Sequence, residues 1–277
     1  MRRPRIQSID DAQPTAAATA VDSLQRGLEA LRCFGPGDDA LDVAELARRL
    51  GLSKPTARRL LDTLEQHGFL LRVPGTDRFA LHVACLIVGQ AVLGSSVLVK
   101  AARPLLLQFA ERFNVSVLAC VQERNDMLVL AQAAAPGAPS GAPSAGMRLP
   151  LAGTALGHAW LWMQSAQVQA DWLANLRSES GTGVSQAARV YRAFQELEER
   201  GVCQALDVSR RELTCFAAPV LLPDGILAVV GCMRADGGGR DRVRLERECS
   251  AGLAVLASEM RAEAGRQRAR RSSASPS

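Results

Sequence analysis

The residues from Val43 to Leu60 constrain the fold most, because their small and apolar members recur at the spacing of two helices joined by a tight turn. Counted from Val43, Ala47 stands fifth and Gly51 ninth, and the apolar positions around them are Leu46, Leu50, Leu52, Ala57 and Leu60. A small side chain at Ala47 lets the helices approach closely, and Gly51 gives the turn the backbone freedom it requires. The pattern predicts a helix–turn–helix unit, with helices over residues 43–50 and 54–67.

The second helix of this unit has a polar and basic N-terminal half. Ser53 is a predicted N-cap whose hydroxyl accepts the amide of Thr56, and Pro55 suits a first helical turn because it has no amide to donate. The polar side chains to which we assign DNA contacts are Ser53, Lys54, Thr56, Arg58 and Arg59. At this place in a recognition helix, side chains meet base edges in the major groove, and Lys and Arg neutralise phosphates. The segment therefore predicts binding to double-stranded DNA.

Predicted elements on both sides extend this unit to residues 21–82. Upstream, apolar residues recur at helical spacing from Val21 to Phe34 and stop at the Gly-Pro-Gly sequence of residues 35–37. Downstream, two short extended segments flank the turn sequence Pro-Gly-Thr-Asp at residues 74–77, which predicts a hairpin that carries Arg72 and Arg78. Three helices followed by a hairpin predict a winged helix–turn–helix domain, and both arginines are assigned to its DNA-binding surface.

The rest of the chain predicts a linker helix and a second domain. An apolar segment over residues 83–99 indicates the linker helix. Residues 100–265 then combine helices with short extended segments, two of which flank a Leu-Pro-Asp-Gly turn at residues 222–225. Because these strands form hairpins instead of alternating with helices, they predict an antiparallel sheet with flanking helices. The predicted fold class is α+β with two domains, and residues 1–20 and 266–277 are predicted to be disordered tails.

Composition and charge exclude several classes of protein. No segment reaches the roughly 20 uninterrupted apolar residues of a membrane span, and the N-terminus lacks the apolar core of a secretory signal. The seven cysteines are odd in number and none forms a Cys-x-x-Cys pair, which argues against a disulfide scaffold and a zinc cluster. Most of the net charge of +5 lies in residues 261–277, which hold five arginines against one glutamate. We therefore expect a cytoplasmic protein without a membrane anchor or a cofactor.

Several short sequences carry a resemblance to a known family. In the first half they are Ser-Leu-Gln-Arg-Gly-Leu at residues 23–28, Leu-Ala-Arg-Arg-Leu-Gly-Leu-Ser-Lys at 46–54, Arg-Leu-Leu at 59–61 and Gly-Phe at 68–69. In the second half they are Arg-Leu-Pro-Leu at 148–151, Ala-Leu-Gly at 155–157 and Cys-Phe-Ala-Ala-Pro-Val at 215–220. In this order and spacing, residues 23–265 resemble the IclR family of bacterial transcriptional regulators.

The resemblance implies an architecture and a set of partners. It implies an N-terminal winged helix–turn–helix, a linker helix that mediates dimer contacts and a C-terminal GAF-like domain that binds a small-molecule effector. It also implies a homodimer or tetramer that binds double-stranded operator DNA and responds to an organic acid, as a repressor, an activator or both. Of these modes of regulation, we expect repression.

The resemblance also points to an effector pocket in the C-terminal domain. Candidates for its apolar wall are Leu149, Leu151, Ala155, Leu156 and Leu213, and Cys215 begins a strand predicted to line it. A helix that starts near Thr154 can aim its amides at a carboxylate. Positions at which the family often holds a carboxylate and small hydroxyls match Ala205, Gly231 and Met233. The resulting pocket is more apolar, so we expect a larger or aromatic acid instead of one the size of glyoxylate or pyruvate.

Two other functions stay open at this point. A Cys-His hydrolase would use Cys215 as nucleophile, His158 as base and Asp207 as the orienting carboxylate, although a lone histidine is more often a surface or satisfied residue than a ligand. We expect no enzyme, because the chain has no nucleophile elbow, phosphate-binding glycine loop or metal-ligand spacing. A ligand-binding interaction module without DNA binding is the other alternative. Salt-dependent retention on duplex DNA that is lost in Arg58→Ala and Arg59→Ala variants distinguishes a DNA-binding protein from both.

Overall fold

The chain divides into two compact units, with the boundary along the sequence between Ser95 and Ser96. The computed structural model describes residues 21–35, 37–138, 142–179, 183–206, 213–235 and 242–274. The predicted tail of residues 1–20 lies outside these ranges, as does Asp207 of the hydrolase alternative. One unit combines helices with a small sheet and the other combines helices with a large one, which confirms the predicted α+β class with two domains.

The N-terminal unit is a three-helix arrangement with a small antiparallel sheet. Its elements are α1 (Asp22–Arg32), β1 (Leu41–Asp42), α2 (Val43–Leu50), α3 (Lys54–Gln66), β2 (Leu70–Arg72), β3 (Arg78–Leu81) and α4 (Cys85–Ser95). The three strands lie in the order β1-β3-β2, so the hairpin β2–β3 is the wing. Apolar side chains from α1, α2, α3 and the wing meet in one core, whose buried members are Ala30, Leu41, Leu46, Leu61, Leu70 and Phe79.

Short polar caps fix where the two helices of the helix–turn–helix begin. The Asp42 side chain accepts the amide of Glu45 at the start of α2, and the Ser53 side chain accepts the amide of Thr56 at the start of α3. Between them Gly51 has a φ of 63°, in the left-handed region that a glycine adopts without strain. The predicted turn and cap are therefore present, and they set the direction in which α3 leaves the turn.

The C-terminal unit is a six-stranded antiparallel sheet covered on both faces by helices. Its elements are α5 (Val97–Phe113), β4 (Ser116–Glu123), β5 (Asp126–Ala134), β6 (Arg148–Pro150), α6 (Ala155–Trp162), α7 (Ala166–Glu179), α8 (Gly183–Arg200), β7 (Cys203–Leu206), β8 (Leu213–Leu221), β9 (Leu227–Ala235) and α9 (Arg242–Ala274). The strands lie in the order β6-β5-β4-β9-β8-β7. One face packs against α5 and α9, and the other packs against α6 and α8.

Two helix boundaries differ from the sequence prediction. The predicted linker over residues 83–99 is interrupted at Ser96, whose hydroxyl accepts the amide of Val99 and starts α5 as a separate helix. At the other end, α9 continues to Ala274, so residues 266–274 are helical instead of disordered. The Arg and Ala residues of this segment are good helix formers, and Arg266 pairs with Glu263 at 2.6 Å across one turn.

Two further properties concern only the part of the chain that the structure describes. Within it, no single helix is both long and apolar enough to cross a bilayer, and only α4 and α5 taken together reach that length. The same residues contain no group of three His, Cys, Asp or Glu side chains placed to hold a metal ion. None of the seven cysteines, all of which lie in the described ranges, forms a disulfide.

Candidate functional sites

The N-terminal half of α3 carries two exposed basic side chains of the helix–turn–helix. Lys54 and Arg59 are exposed, and no described carboxylate pairs with either. Thr56 and Ser53 share a hydrogen bond of 2.8 Å between their hydroxyl oxygens at the cap. The apolar side of α3 is buried at Ala57 and Leu61, so the basic residues lie on the side that faces away from the core. This arrangement suits contact with a polyanion such as duplex DNA.

Two of the other three predicted arginines, Arg58 and Arg72, lie in a group of charged side chains that we call the wing network: Arg58, Asp62 and Glu65 of α3, Arg72 of β2 and Asp77 of the wing turn. Arg58 Nη1 lies 2.6 Å from Asp77 Oδ1, and Arg58 Nε lies 3.2 Å from Asp62 Oδ1. Arg72 Nη2 lies 3.0 Å from both Asp62 Oδ1 and Glu65 Oε2. The network joins α3 to the wing.

Arg72 and Arg78 hold the wing from two sides. The Arg72 guanidinium carbon lies 4.6 Å from the ring centre of buried Phe79, within the range of a cation–π contact. Its hydrogen bond to Glu65 raises the pKa of Arg72. The Arg78 guanidinium donates to the carbonyl oxygen of Ala40. The structure therefore places Arg58, Arg72 and Arg78 in intramolecular contacts, whereas it leaves Lys54 and Arg59 accessible.

Three of the predicted effector residues lie side by side on one face of the large sheet. Ala205 is opposite Cys215, Cys215 is opposite Met233, and Met233 is opposite Ser116 on its other side. Residues that are directly opposite across paired strands point to the same face. We call these four residues the effector row. Ala205, Cys215 and Met233 are only partly buried, although β8 and β9 are interior strands, so α6 and α8 do not fully cover the row.

The first turn of α6 lies on the neighbouring row of the sheet, about 7 Å away along the strands. There the Cys203 thiol donates to the carbonyl oxygen of Ala155 at 3.4 Å. A Cβ atom on Gly231 would lie 2.5 Å from Leu156 Cδ2, so the glycine provides the space that Leu156 occupies. Thr154 caps the helix, because its hydroxyl accepts the amide of Gly157 and donates to the carbonyl of Pro150. The start of α6 thus borders the effector row.

Two other predicted wall residues, Leu149 and Leu151, are not brought to the effector row. Leu149 is opposite Met127, and Met127 is opposite Gln122, at the far end of β4 from Ser116. Leu151 stands two residues after Leu149 and is buried in the same apolar cluster. Its backbone carbonyl lies close to Gly157. The backbone of Leu213 pairs with Ala235 in the sheet, and its side chain lies outside the described part of the structure.

Ser116 is a candidate site residue that the sequence analysis missed. Its side chain is 1% exposed, and its hydroxyl has no hydrogen-bond partner among the described residues. A buried hydroxyl without a partner is uncommon, since its desolvation is not offset. The serine was overlooked because it stands within the apolar run of residues 115–121. The alternation of side chains along a strand could have identified it, because this alternation places the polar Ser116 on the same face as Leu118.

His158 is a buried residue of α6 instead of lying on the surface. Its side chain is 2% exposed, and Nδ1 has no hydrogen-bond partner among the described residues. Burial, and to a smaller degree the positive charge of Arg189 on α8, together lower the pKa of His158 to about 4. The imidazole is therefore neutral at pH 7.

The depressed pKa of His158 predicts a loss of stability in acid. The ordinary pKa is 6.5 and the folded value is about 4, so between these pH values the unfolded chain binds a proton that the folded chain does not. The contribution of the neutral imidazole to the free energy of unfolding is fully present above pH 6.5, and about 3 kcal/mol of it is lost as the pH falls to 4. Urea unfolding at pH 7 and pH 4.5 measures the loss, which we expect to be much smaller in His158→Gln. Equal losses in both proteins would contradict the assignment.

Comparison with known proteins gives matches across both units. Residues 23–74 match the family model described as the IclR helix-turn-helix domain, and residues 90–225 match the bacterial transcriptional regulator IclR C-terminal domain. The HTH-type transcriptional regulator TsaQ1/TsaQ2 of Comamonas testosteroni is 32% identical over 196 residues, which are 70% of this chain and 69% of the relative.

Two solved structures show the same fold over nearly the whole chain. An IclR family transcriptional regulator from Brucella abortus is 27% identical, with a TM-score of 0.78 and 93% of each chain covered. An IclR homolog from Microbacterium hydrocarbonoxydans, in complex with 4-hydroxybenzoate, is 20% identical, with a TM-score of 0.64 and coverage of 87% of this chain and 99% of that one.

These matches agree with the local geometry. The helix–turn–helix of the N-terminal unit and the curled antiparallel sheet of the C-terminal unit are the two parts that the family combines. The relatives are regulators of transcription and not enzymes, which confirms the expectation from the sequence that this chain is no enzyme. The chain belongs to the IclR family of bacterial transcriptional regulators, as the residues around Gly51 and Cys215 indicated.

Proposed function

We propose that this regulator binds operator DNA through the N-terminal half of α3 and that a mainly apolar, aromatic organic acid on the effector row controls its affinity for DNA. The observation that carries the effector part is the composition of the row: three residues without charge beside one buried hydroxyl, Ser116. We further infer that it acts in the cytoplasm as a repressor. Reporter expression from the regulated promoter that rises when the gene of this regulator is deleted supports repression, and expression that falls indicates activation.

For DNA, the exposed side chains of Lys54 and Arg59 supply the first contacts, and Ser53 and Thr56 lie beside them at the helix start. A cation on a recognition helix either reads guanine or neutralises a phosphate. Arg58 is close enough in sequence to join them once it leaves the wing network. Arg72 and Arg78 support binding by holding the wing. Two such units in a homodimer would occupy half-sites whose centres lie about 34 Å apart, or a multiple of that distance.

For the effector, the row favours a ligand with a flat apolar body and few polar groups. Ala205, Cys215 and Met233 offer methyl, thiol and thioether surfaces, which pack well against an aromatic ring. The start of α6 provides a positive dipole end for a carboxylate. The Ser116 hydroxyl is placed for one more polar group, such as a phenol. The 4-hydroxybenzoate held by the Microbacterium hydrocarbonoxydans homolog belongs to this class of ligand.

Thermal-shift measurements on the purified protein test the effector class. We expect 4-hydroxybenzoate and related benzoates to raise the melting temperature, and glyoxylate and pyruvate to leave it unchanged. Ser116→Ala should weaken binding of a hydroxylated benzoate about fivefold, since a neutral hydrogen bond contributes about 1 kcal/mol. Ser258→Ala, which alters an exposed hydroxyl on α9, serves as the control. Binding of the small acids alone would contradict the proposal.

For the dimer, α4 provides the contact surface. None of its residues is buried, and Leu86, Ile87, Val88 and Val92 are 55–71% exposed. A helix that is apolar on its exposed sides is normally covered by a partner. The family resemblance implies the partner, a second copy of the linker helix.

A charged residue on α4 is therefore expected to separate the subunits. Ile87→Glu should sediment as a monomer at micromolar concentration and bind operator DNA far more weakly, because each half-site is then bound alone. Val255→Glu changes an equally apolar side chain that is 56% exposed on α9, and it should stay dimeric. A dimeric Ile87→Glu protein would place the interface elsewhere.

A further inference from the structure

Asp77 places an exposed carboxylate against the recognition helix. It lies in the wing turn, with 66% of its side chain exposed, yet its Oδ1 atom is 2.6 Å from Arg58 Nη1 and 3.2 Å from Arg72 Nη1. One carboxylate oxygen therefore bridges two guanidinium groups, one on α3 and one on β2.

The two arginines depend on Asp77 to different degrees. Arg72 also contacts Asp62 and Glu65 at 3.0 Å and packs on the ring of Phe79, so it stays anchored without Asp77. Among the described residues, the one other ion-pair partner of Arg58 is Asp62, at 3.2 Å, and the Arg58 guanidinium carbon lies 5.8 Å from the ring centre of Phe79, farther than that of Arg72. Arg58 can thus leave the wing network while Arg72 continues to hold the wing against α3.

The charge of the network also opposes DNA. Two guanidinium groups face three carboxylates, Asp62, Glu65 and Asp77, so the group as a whole carries one net negative charge. A carboxylate and a phosphate bind guanidinium with the same geometry, so they compete for the same donors. In the free protein Asp77 occupies Arg58 Nη1, one of the donors that a phosphate could otherwise use.

We propose that Asp77 is an internal competitor for DNA phosphate: it occupies Arg58 in the free protein, and Arg58 exchanges this carboxylate for a phosphate when DNA binds. Arg72 acts as the positioning residue that keeps the wing in place during the exchange. The inference rests on the proposed use of α3 for DNA binding, and it predicts that removing the Asp77 charge strengthens binding through Arg58.

A double-mutant cycle on DNA affinity tests this exchange. The probe is a fluorescent random-sequence duplex of about 30 base pairs at low salt, where phosphate contacts dominate binding. Asp77→Asn should bind it about fivefold more tightly than the unaltered protein, as expected when one charge-assisted hydrogen bond no longer competes. In an Arg58→Ala background the same change should give less than about a twofold gain. Asp39→Asn removes an exposed charge elsewhere in the same unit and is the control for net charge.

Each result has a definite meaning. A gain that is equal with and without Arg58 would show that Asp77 only repels DNA, and it would overturn the proposal, as would no gain at all. Asp77→Ser provides a second substitution, and thermal melts establish that every variant is folded. If the unaltered protein bound no duplex at low salt, the proposed function itself would fail. If the protein bound the duplex with an affinity that substitution of Asp77 did not change, only the inference about Asp77 would fail.

Discussion

An Arg59→Ala variant is expected to bind operator DNA roughly 5- to 150-fold more weakly than the unaltered protein, the range for loss of one base-reading arginine. Arg59 is exposed, and no described carboxylate competes for it, so its whole charge is available to DNA. In contrast, Arg58 must first give up Asp77 at 2.6 Å. The loss at Arg59 should therefore exceed the loss in Arg58→Ala.

Fluorescence anisotropy with an operator duplex selected in vitro measures this difference. Arg261→Ala removes the same charge from an exposed position on α9 and should change the affinity by less than about twofold. If Arg59 reads a base, selection with the variant should also show relaxed preference at one base position in each half-site. Equal losses in Arg59→Ala and Arg261→Ala would mean that only net charge matters.

A Gly157→Ala substitution is expected to destabilise the C-terminal unit by about 3 kcal/mol or more, although alanine is normally the better helix former. A Cβ atom on Gly157 would lie 1.8 Å from the carbonyl oxygen of Leu151. This neighbour is backbone and cannot rotate away as a side chain can. The start of α6 would have to separate from the loop at residues 150–154, which also disturbs the border of the effector row.

Urea unfolding of Gly157→Ala and Gly265→Ala tests this close approach. Gly265 lies in a helix of the same unit, and its nearest atom to an added Cβ is Pro223 Cγ at an ordinary 3.7 Å. We expect Gly265→Ala to be neutral or to stabilise by up to about 1 kcal/mol. A stable Gly157→Ala protein would show that the loop adjusts without cost.

Local sequence was sufficient to predict the helix–turn–helix, because each determinant acts within a few residues. Gly51 adopts the left-handed conformation, Ser53 caps α3, and Ala47 is buried where the helices cross. The antiparallel character of the large sheet was also predictable, since the turn at residues 222–225 joins two strands directly. Element order alone therefore gave the fold class.

The candidate sites were less predictable because they depend on contacts between distant residues. Ser116 joins Met233 and Cys215 only through the pairing of β4, β9 and β8, which no short motif encodes. The wing network likewise requires the wing to fold back on α3 before Asp77 can reach Arg58. Sequence alone therefore assigned Arg58 to DNA contacts without indicating that its guanidinium donates to Asp77 in the folded protein.

Site-specific crosslinking tests most directly whether α3 meets DNA. A photoreactive amino acid is placed at position 54 or 59 on α3, and at position 261 on α9 as the control, and each protein is irradiated with the selected operator duplex. We predict crosslinks to bases within the half-sites from positions 54 and 59 and none from position 261. A protein that binds the duplex but crosslinks only from α9 would contradict the account.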